Sequence, residues 1–143
     1  MHLTQQTDYA MRVLIYAAVN PDRLVKIKAI AQAYQISHSH VMKVATMLVK
    51  GGFLNSTRGK GGGLTLAHKP ENIIIGHVVR HMEDLKIISC MHEDKPCIIS
   101  ESCRLVGMLH HAGRAFIEHL DQYTLADVIA KPADWTALQV QDQ

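Results

Sequence analysis

Ala10, Val13, Leu14, Ala17 and Ala18 recur at the i, i+3, i+4, i+7 spacing of one buried helical face, and Asn20-Pro21 breaks the pattern. The spacing predicts a first helix ending near Val19. Ile27, Ile30, Ala31 and Tyr34 repeat the period over a shorter stretch, and after a break at Gln35-Ile36-Ser37 a third stripe follows: Val41, Val44, Ala45 and Leu48. Ser37 or Ser39 is suited to cap that third helix, because a side-chain oxygen there can accept from the orphan amides of its first turn. Gly51-Gly52 can supply the left-handed residue that ends it. His38, His40, Lys43 and Lys50 fall outside the stripe, so the outer face is polar and basic. Two short helices joined by a tight turn, the second with such a face, match the helix-turn-helix pattern.

The continuation sharpens this expectation. Phe53-Leu54-Asn55-Ser56-Thr57 reads as a strand, residues 58–63 as a flexible turn, and Leu64-Thr65-Leu66 as the returning strand. A helix-turn-helix followed by a hairpin is a winged helix. Its tip carries Arg58 and Lys60 among four glycines, and glycine lets a backbone approach phosphates while the cations reach into a groove. The same run fails as a nucleotide loop: Lys60 is followed by Gly61 rather than Ser or Thr, and Leu64 stands where a dinucleotide fingerprint needs its third glycine.

Residues 75–85 read as another helix, with Val78, Val79 and Met82 inward. Residues 89–102 show neither period, and Pro96 interrupts them, so a loop is expected there. From Cys103 the pattern is helical again, with Leu105, Leu109, Ala112, Phe116 and Leu120 forming a long apolar seam. A second copy of the same helix is the simplest partner for that seam, and it would supply the two-fold symmetry of paired DNA half-sites. The expected class is mainly α. Residues 1–85 form a winged-helix DNA-binding domain, 86–102 a cysteine loop, 103–130 a dimerisation helix with a short terminal helix, and 131–143 a mobile tail.

Composition agrees with one globular domain: 143 residues, 48% hydrophobic, without a low-complexity tract. The longest apolar stretch, from Val13 to Val19, is about a third of the roughly 20 residues that a bilayer span needs. Asp8 and Arg12 spoil it as a signal sequence, and a cytoplasmic setting without a membrane role is expected. The net charge of +2 conceals an asymmetry. From residue 37 to 81 six bases face Glu71 alone, whereas from residue 82 onward ten acids face five bases. The basic middle is suited to a polyanion and the acidic remainder to another task. No nucleophile elbow or HExxH motif occurs, so the chain is not expected to be an enzyme.

Cys90, Cys97 and Cys103 are the only cysteines and lie within 14 residues of one another. An odd number clustered in this way is better suited to metal or redox chemistry than to disulfides. The spacing is not the CxxC knuckle of zinc sites, and it suits an iron-sulfur cluster, whose irons can take thiolates from points spread around a loop. Three cysteines leave a cluster one ligand short, to be met by a local group such as His92 or by a second subunit. Zinc remains the competitor, since His92, His110 or His111 could complete a Cys3His site. A redox or metal-binding protein without sequence-specific DNA binding is the alternative function.

Leu3-Thr4 with Thr7-Asp8-Tyr9-Ala10, the wing Arg58-Gly59-Lys60-Gly61-Gly62-Gly63, the spaced cysteines and Tyr123-Thr124-Leu125-Ala126-Asp127 carry a resemblance over nearly the whole chain. The chain resembles the Rrf-type winged-helix iron-sulfur regulators, and among them the NsrR-type nitric-oxide-sensing repressors. The resemblance implies a homodimer bound to a symmetric double-stranded DNA operator and released when nitric oxide attacks its iron-sulfur cluster, which is either 4Fe-4S or 2Fe-2S. It implies Cys90, Cys97 and Cys103 of one subunit as ligands, with the partner subunit's Asp8 as the fourth. The related regulator IscR carries a histidine ligand three residues after its last cysteine, where this chain has Val106, which cannot bind a metal. Ser37, His38, Ser39, His40 and Lys43 are expected to face the major groove, with Arg58 and Lys60 in the minor groove or on phosphates.

Overall fold

The computed structural model describes residues 2–87, 97–99 and 102–139. Helix α1 (Gln5–Ala18) begins at Thr4, whose side chain accepts from the Thr7 amide, and it buries Ala10, Val13, Leu14, Ala17 and Ala18. Helix α2 (Ile27–Tyr34) ends at Gln35, a left-handed residue with φ of 54° whose amide returns to the carbonyls of Ala31 and Gln32. The Ile36 amide also reaches the Ala31 carbonyl, at 2.9 Å, which folds the turn tightly and buries Ile36. Helix α3 (His38–Lys50) follows at once. Its cap is Ser37, which accepts from the His40 amide at 3.3 Å, so of the two candidate serines Ser37 does the capping.

Strands β1 (Leu54–Thr57) and β2 (Gly63–Leu66) pair antiparallel, with Leu54 opposite Leu66 and Thr57 opposite Gly63. Val25 joins the hairpin through two backbone bonds of 2.9 Å to Leu64, which ties the wing to the residue just ahead of α2. Leu54 and Leu64 point into the core with Leu14, Ile30 and Leu48. Each such side chain taken fully from water contributes about 1.5–3 kcal/mol.

Helix α4 (Ile75–Met82) is shorter than its pattern suggests. Leu85 would have extended it, but Glu83 is extended, because its carboxylate reaches across to α1, and Leu85 is exposed. Helix α5 (Arg104–Leu120) starts after Cys103, and α6 (Leu125–Val128) is closed by a reciprocal capping box between Thr124 and Asp127. The chain after α5 then re-enters the first domain. Leu125 is fully buried in its core, and backbone bonds join Ile75 to Tyr123 and Leu125 to Ile73. Residues 123–125 are therefore hydrogen-bonded to the start of α4 and packed against the core of residues 1–85. Within the segment 131–143, Pro132–Leu138 form a 3-10 helix, with Leu138 packed on the core and its carbonyl held by Asn20 at 3.0 Å.

The seam of α5 divides. Leu109, Phe116 and Leu120 are half-buried against their own chain around the fully buried Ile117, while Leu105, Met108 and Ala112 are exposed. An apolar edge at Leu105 and Met108 is left uncovered among the described residues. Among the described residues, no helix is long and apolar enough to cross a membrane.

Candidate nucleic-acid interface and thiol site

On α3 the packing of Val41, Val44, Ala45 and Leu48 against the core turns the opposite face outward. Ser37, His38, Ser39, His40 and Lys43 are all exposed, as the stripe requires. His40 is not wholly free: its ring lies 6.0 Å from that of Tyr9 on α1, and the two line a small recess with Gln5, Gln6 and Lys43. Met42, 48% exposed, shares the outer face although apolarity alone would place it inside.

Arg58 and Lys60 stand exposed on the wing tip. The tip is a closed turn, with the Gly62 amide on the Gly59 carbonyl at 3.0 Å. Gly59 and Gly61 hold φ of 97° and 92°, and a Cβ on Gly62 would lie 2.1 Å from the Thr57 carbonyl oxygen. Glycine is therefore a steric requirement here. Sequence reasoning missed two further cations. Lys26 and Lys28 line a groove of about 240 Å³ with His38, Ser56, Thr57 and Gly62, and the Lys26 ammonium donates to the Gly62 carbonyl. Their place beside the wing depends on the Val25–Leu64 pairing, which no local pattern shows.

Cys97 and Cys103 are free thiols, each half-buried, and Cys103 occupies the N-cap of α5. Cys90 and His92 lie outside the described residues. His110 and His111 are exposed two turns along α5. At 1.5 Å per residue they are about 10 Å from Cys103 along the axis, too far for one zinc ion to join within one chain. Val106 is half-buried in the first turn of α5. Asp8 is exposed on α1 and pairs with Arg12 at 2.9 Å, while the Arg12 guanidinium lies 5.6 Å from the Tyr34 ring centroid. Burial pushes the Tyr34 hydroxyl up to about 12, so this neighbour stays neutral. Among the described residues no three ligating side chains converge.

A model of the Rrf2 family, described as iron-dependent transcriptional regulators, matches residues 3–131. The chain belongs to the Rrf2 family. It is 43% identical over 141 residues to the HTH-type transcriptional regulator NsrR of Halalkalibacterium halodurans, covering 96% of this chain and 97% of that one. The regulator of the same name from Bacillus licheniformis is 46% identical over 132 residues, covering 90% and 92%. Among solved structures, CymR of B. subtilis, titled as its global cysteine regulator, superposes with a TM-score of 0.68 at 23% identity, over 91% of this chain and 97% of that chain. That likeness supports the winged-helix fold alone. The chain is an NsrR-type DNA-binding transcriptional regulator, not an enzyme.

Proposed function

We propose that this regulator is a homodimeric repressor that binds a symmetric operator and leaves it when nitric oxide reaches an iron-sulfur cluster. The observation that carries the reading is the pairing, in one chain, of an exposed outer face on α3 with two free thiols, one of them at the head of α5. The far end of α5 packs back on the DNA-binding core through α6. The donor set fits a thiophilic group: soft thiols, one at a helix N-cap, and no competing disulfide between Cys97 and Cys103. Cys90, Cys97 and Cys103 would hold the cluster, with the partner subunit's Asp8 as the fourth ligand. When bound, the cluster supplies iron open to a small diatomic ligand, most readily where the donor is a hard carboxylate.

The chain's own residues do the rest. Ser37, His38, Ser39, His40 and Lys43 present donors and acceptors to base edges, and Arg58 and Lys60 neutralise the backbone or enter the minor groove. Asp8 lies one turn into α1, whose buried face packs on α3, so a change in what its carboxylate holds is felt at the base of the reading helix. The exposed half of the α5 arc, with Leu105 and Met108, meets the second copy.

The test begins with iron, acid-labile sulfide and the visible spectrum of protein purified without oxygen. Binding to a duplex selected by the protein from a random pool is then titrated with nitric oxide. Stoichiometric iron and sulfide, and release by nitric oxide, are expected. Colourless protein containing zinc overturns the sensor reading, because zinc is d¹⁰. An Asp8→Ala variant with an unchanged spectrum and nitric-oxide response removes Asp8 from the site.

A further inference from the structure

The end of α4 engages the termini of three other helices through residues 80, 81 and 83. Arg80 grips both carboxylate oxygens of Asp121, the C-cap of α5. Glu83 accepts from the amide and hydroxyl of Thr4, the N-cap of α1. Between them His81 places Nε2 2.8 Å from the Met47 carbonyl in the last turn of α3, with its ring 5.7 Å from that of Phe53. The carbonyl is an acceptor, so Nε2 carries the proton.

The end of α3 is shaped around this imidazole. A Cβ on Gly51, the C-cap of α3, would lie 2.6 Å from Nε2 and 2.7 Å from Cδ2 of His81, so any side chain there would displace the ring. Helix α4 packs on α1 and on α5. His81 carries a hydrogen bond from this unit directly to α3, beside the packing of both on α1.

We propose that His81 is a positioning residue for DNA reading: it fixes the C-terminal end of α3 against the α4–α5 unit, and thereby sets the angle at which the other end of α3 meets the bases. The inference rests on α3 being the reading helix. With 13 residues α3 is about 20 Å long, and a tilt of about 5° about its middle, where it packs on α1, moves its first turn by roughly 0.9 Å. That displacement is enough to break base-edge hydrogen bonds, whose donor–acceptor distances span only about half an ångström. Non-specific contacts to phosphates tolerate it, because they are mainly charge attraction.

The experiment uses the full-length protein and two duplexes: one selected from a random pool by the wild-type protein, and one scrambled to the same composition. His81→Phe keeps a ring beside Phe53 and loses the donor. Gly51→Ala displaces the ring from the other side. His81→Gln keeps an amide nitrogen at the reach of Nε2. The first two are expected to weaken binding to the selected duplex about two- to tenfold, the span of one net hydrogen bond, with scrambled-duplex affinity and the salt slope unchanged. His81→Gln is expected to stay within about twofold of wild type. Equal losses on both duplexes, losses in His81→Gln as large as in His81→Phe, or no loss in Gly51→Ala would each overturn the proposal. If His81→Phe melts below the assay temperature, Gly51→Ala and His81→Gln decide between them. A wild-type protein that enriches no sequence from the pool refutes the reading of α3 itself; a wild type that discriminates, with variants that match it, refutes only the role of His81.

Discussion

Replacing Glu83 by Gln isolates what one carboxylate does for the start of α1. Its Oε1 accepts from the Thr4 amide at 2.6 Å, from the Thr4 hydroxyl at 2.9 Å, and from the hydroxyl of Thr7, a fully buried residue. Glutamine has nearly the same shape and keeps one acceptor oxygen, so the change removes the charge and little volume. A hydrogen bond to a charged group is worth about 1.5–3 kcal/mol against about 0.5–1.5 for a neutral pair. Three bonds converge on a single, partly solvated oxygen, so the combined loss is about 1–2 kcal/mol. For a chain of this size that lowers Tm by roughly 3–8 °C.

The pH dependence carries the sign. Burial pushes the Glu83 carboxyl up, but the hydrogen bonds from Thr7 and Thr4 outweigh it and hold it below its ordinary value of 4.5. A carboxyl with a lowered folded-state pKa contributes stability that is fully present above 4.5 and lost as the pH falls through the lowered value. Thermal melts of wild type and Glu83→Gln at one fixed protein concentration should therefore differ by a constant amount from pH 6 to 8, and the gap should narrow as the pH falls below 4.5. Equal Tm values at pH 7, or a gap that widens as the solution is acidified, would refute the account.

Gly76→Ala should destabilise despite the roughly 1 kcal/mol that alanine gains in a helix. Its Cβ would lie 2.0 Å from Asp121 Oδ1 and 3.0 Å from the Asp121 amide, and forcing them apart costs about 1–3 kcal/mol, read as a lower urea midpoint. Leu105→Glu combined with Met108→Glu, both on the open side of α5, should halve the mass seen by light scattering at micromolar concentration while helix content is retained; an unchanged mass would place the dimer contact elsewhere. Arg58→Ala should weaken operator binding and reduce the salt slope by about 1, and an unaltered slope would remove the wing from the interface. Asn20→Ala removes a buried amide that donates to the Tyr16 and Leu138 carbonyls, and it should lower stability by about 1–3 kcal/mol, read as a lower urea midpoint; an unchanged midpoint would refute the role of those two bonds.

What the sequence by itself determined is what local rules govern. The stripes of α1 and α3, a serine cap at position 37 or 39, the hairpin with its cations and the spacing of the cysteines all involve residues within a few positions of one another, where helical period, capping and turn chemistry act. The tertiary structure decided what depends on distant partners. Helix α4 stops at Met82 because Glu83 is drawn to Thr4 and Thr7, nearly eighty residues away in the chain. Lys26 and Lys28 join the wing only because Val25 pairs with Leu64, and Leu125 joins a core built mostly from residues 10–82. The apolar seam of α5 was legible as a seam. Its division into a half that packs at home around Ile117 and a half that stays open at Leu105 and Met108 was not, because a helical period gives the width of an apolar arc but not which neighbour covers each part of it.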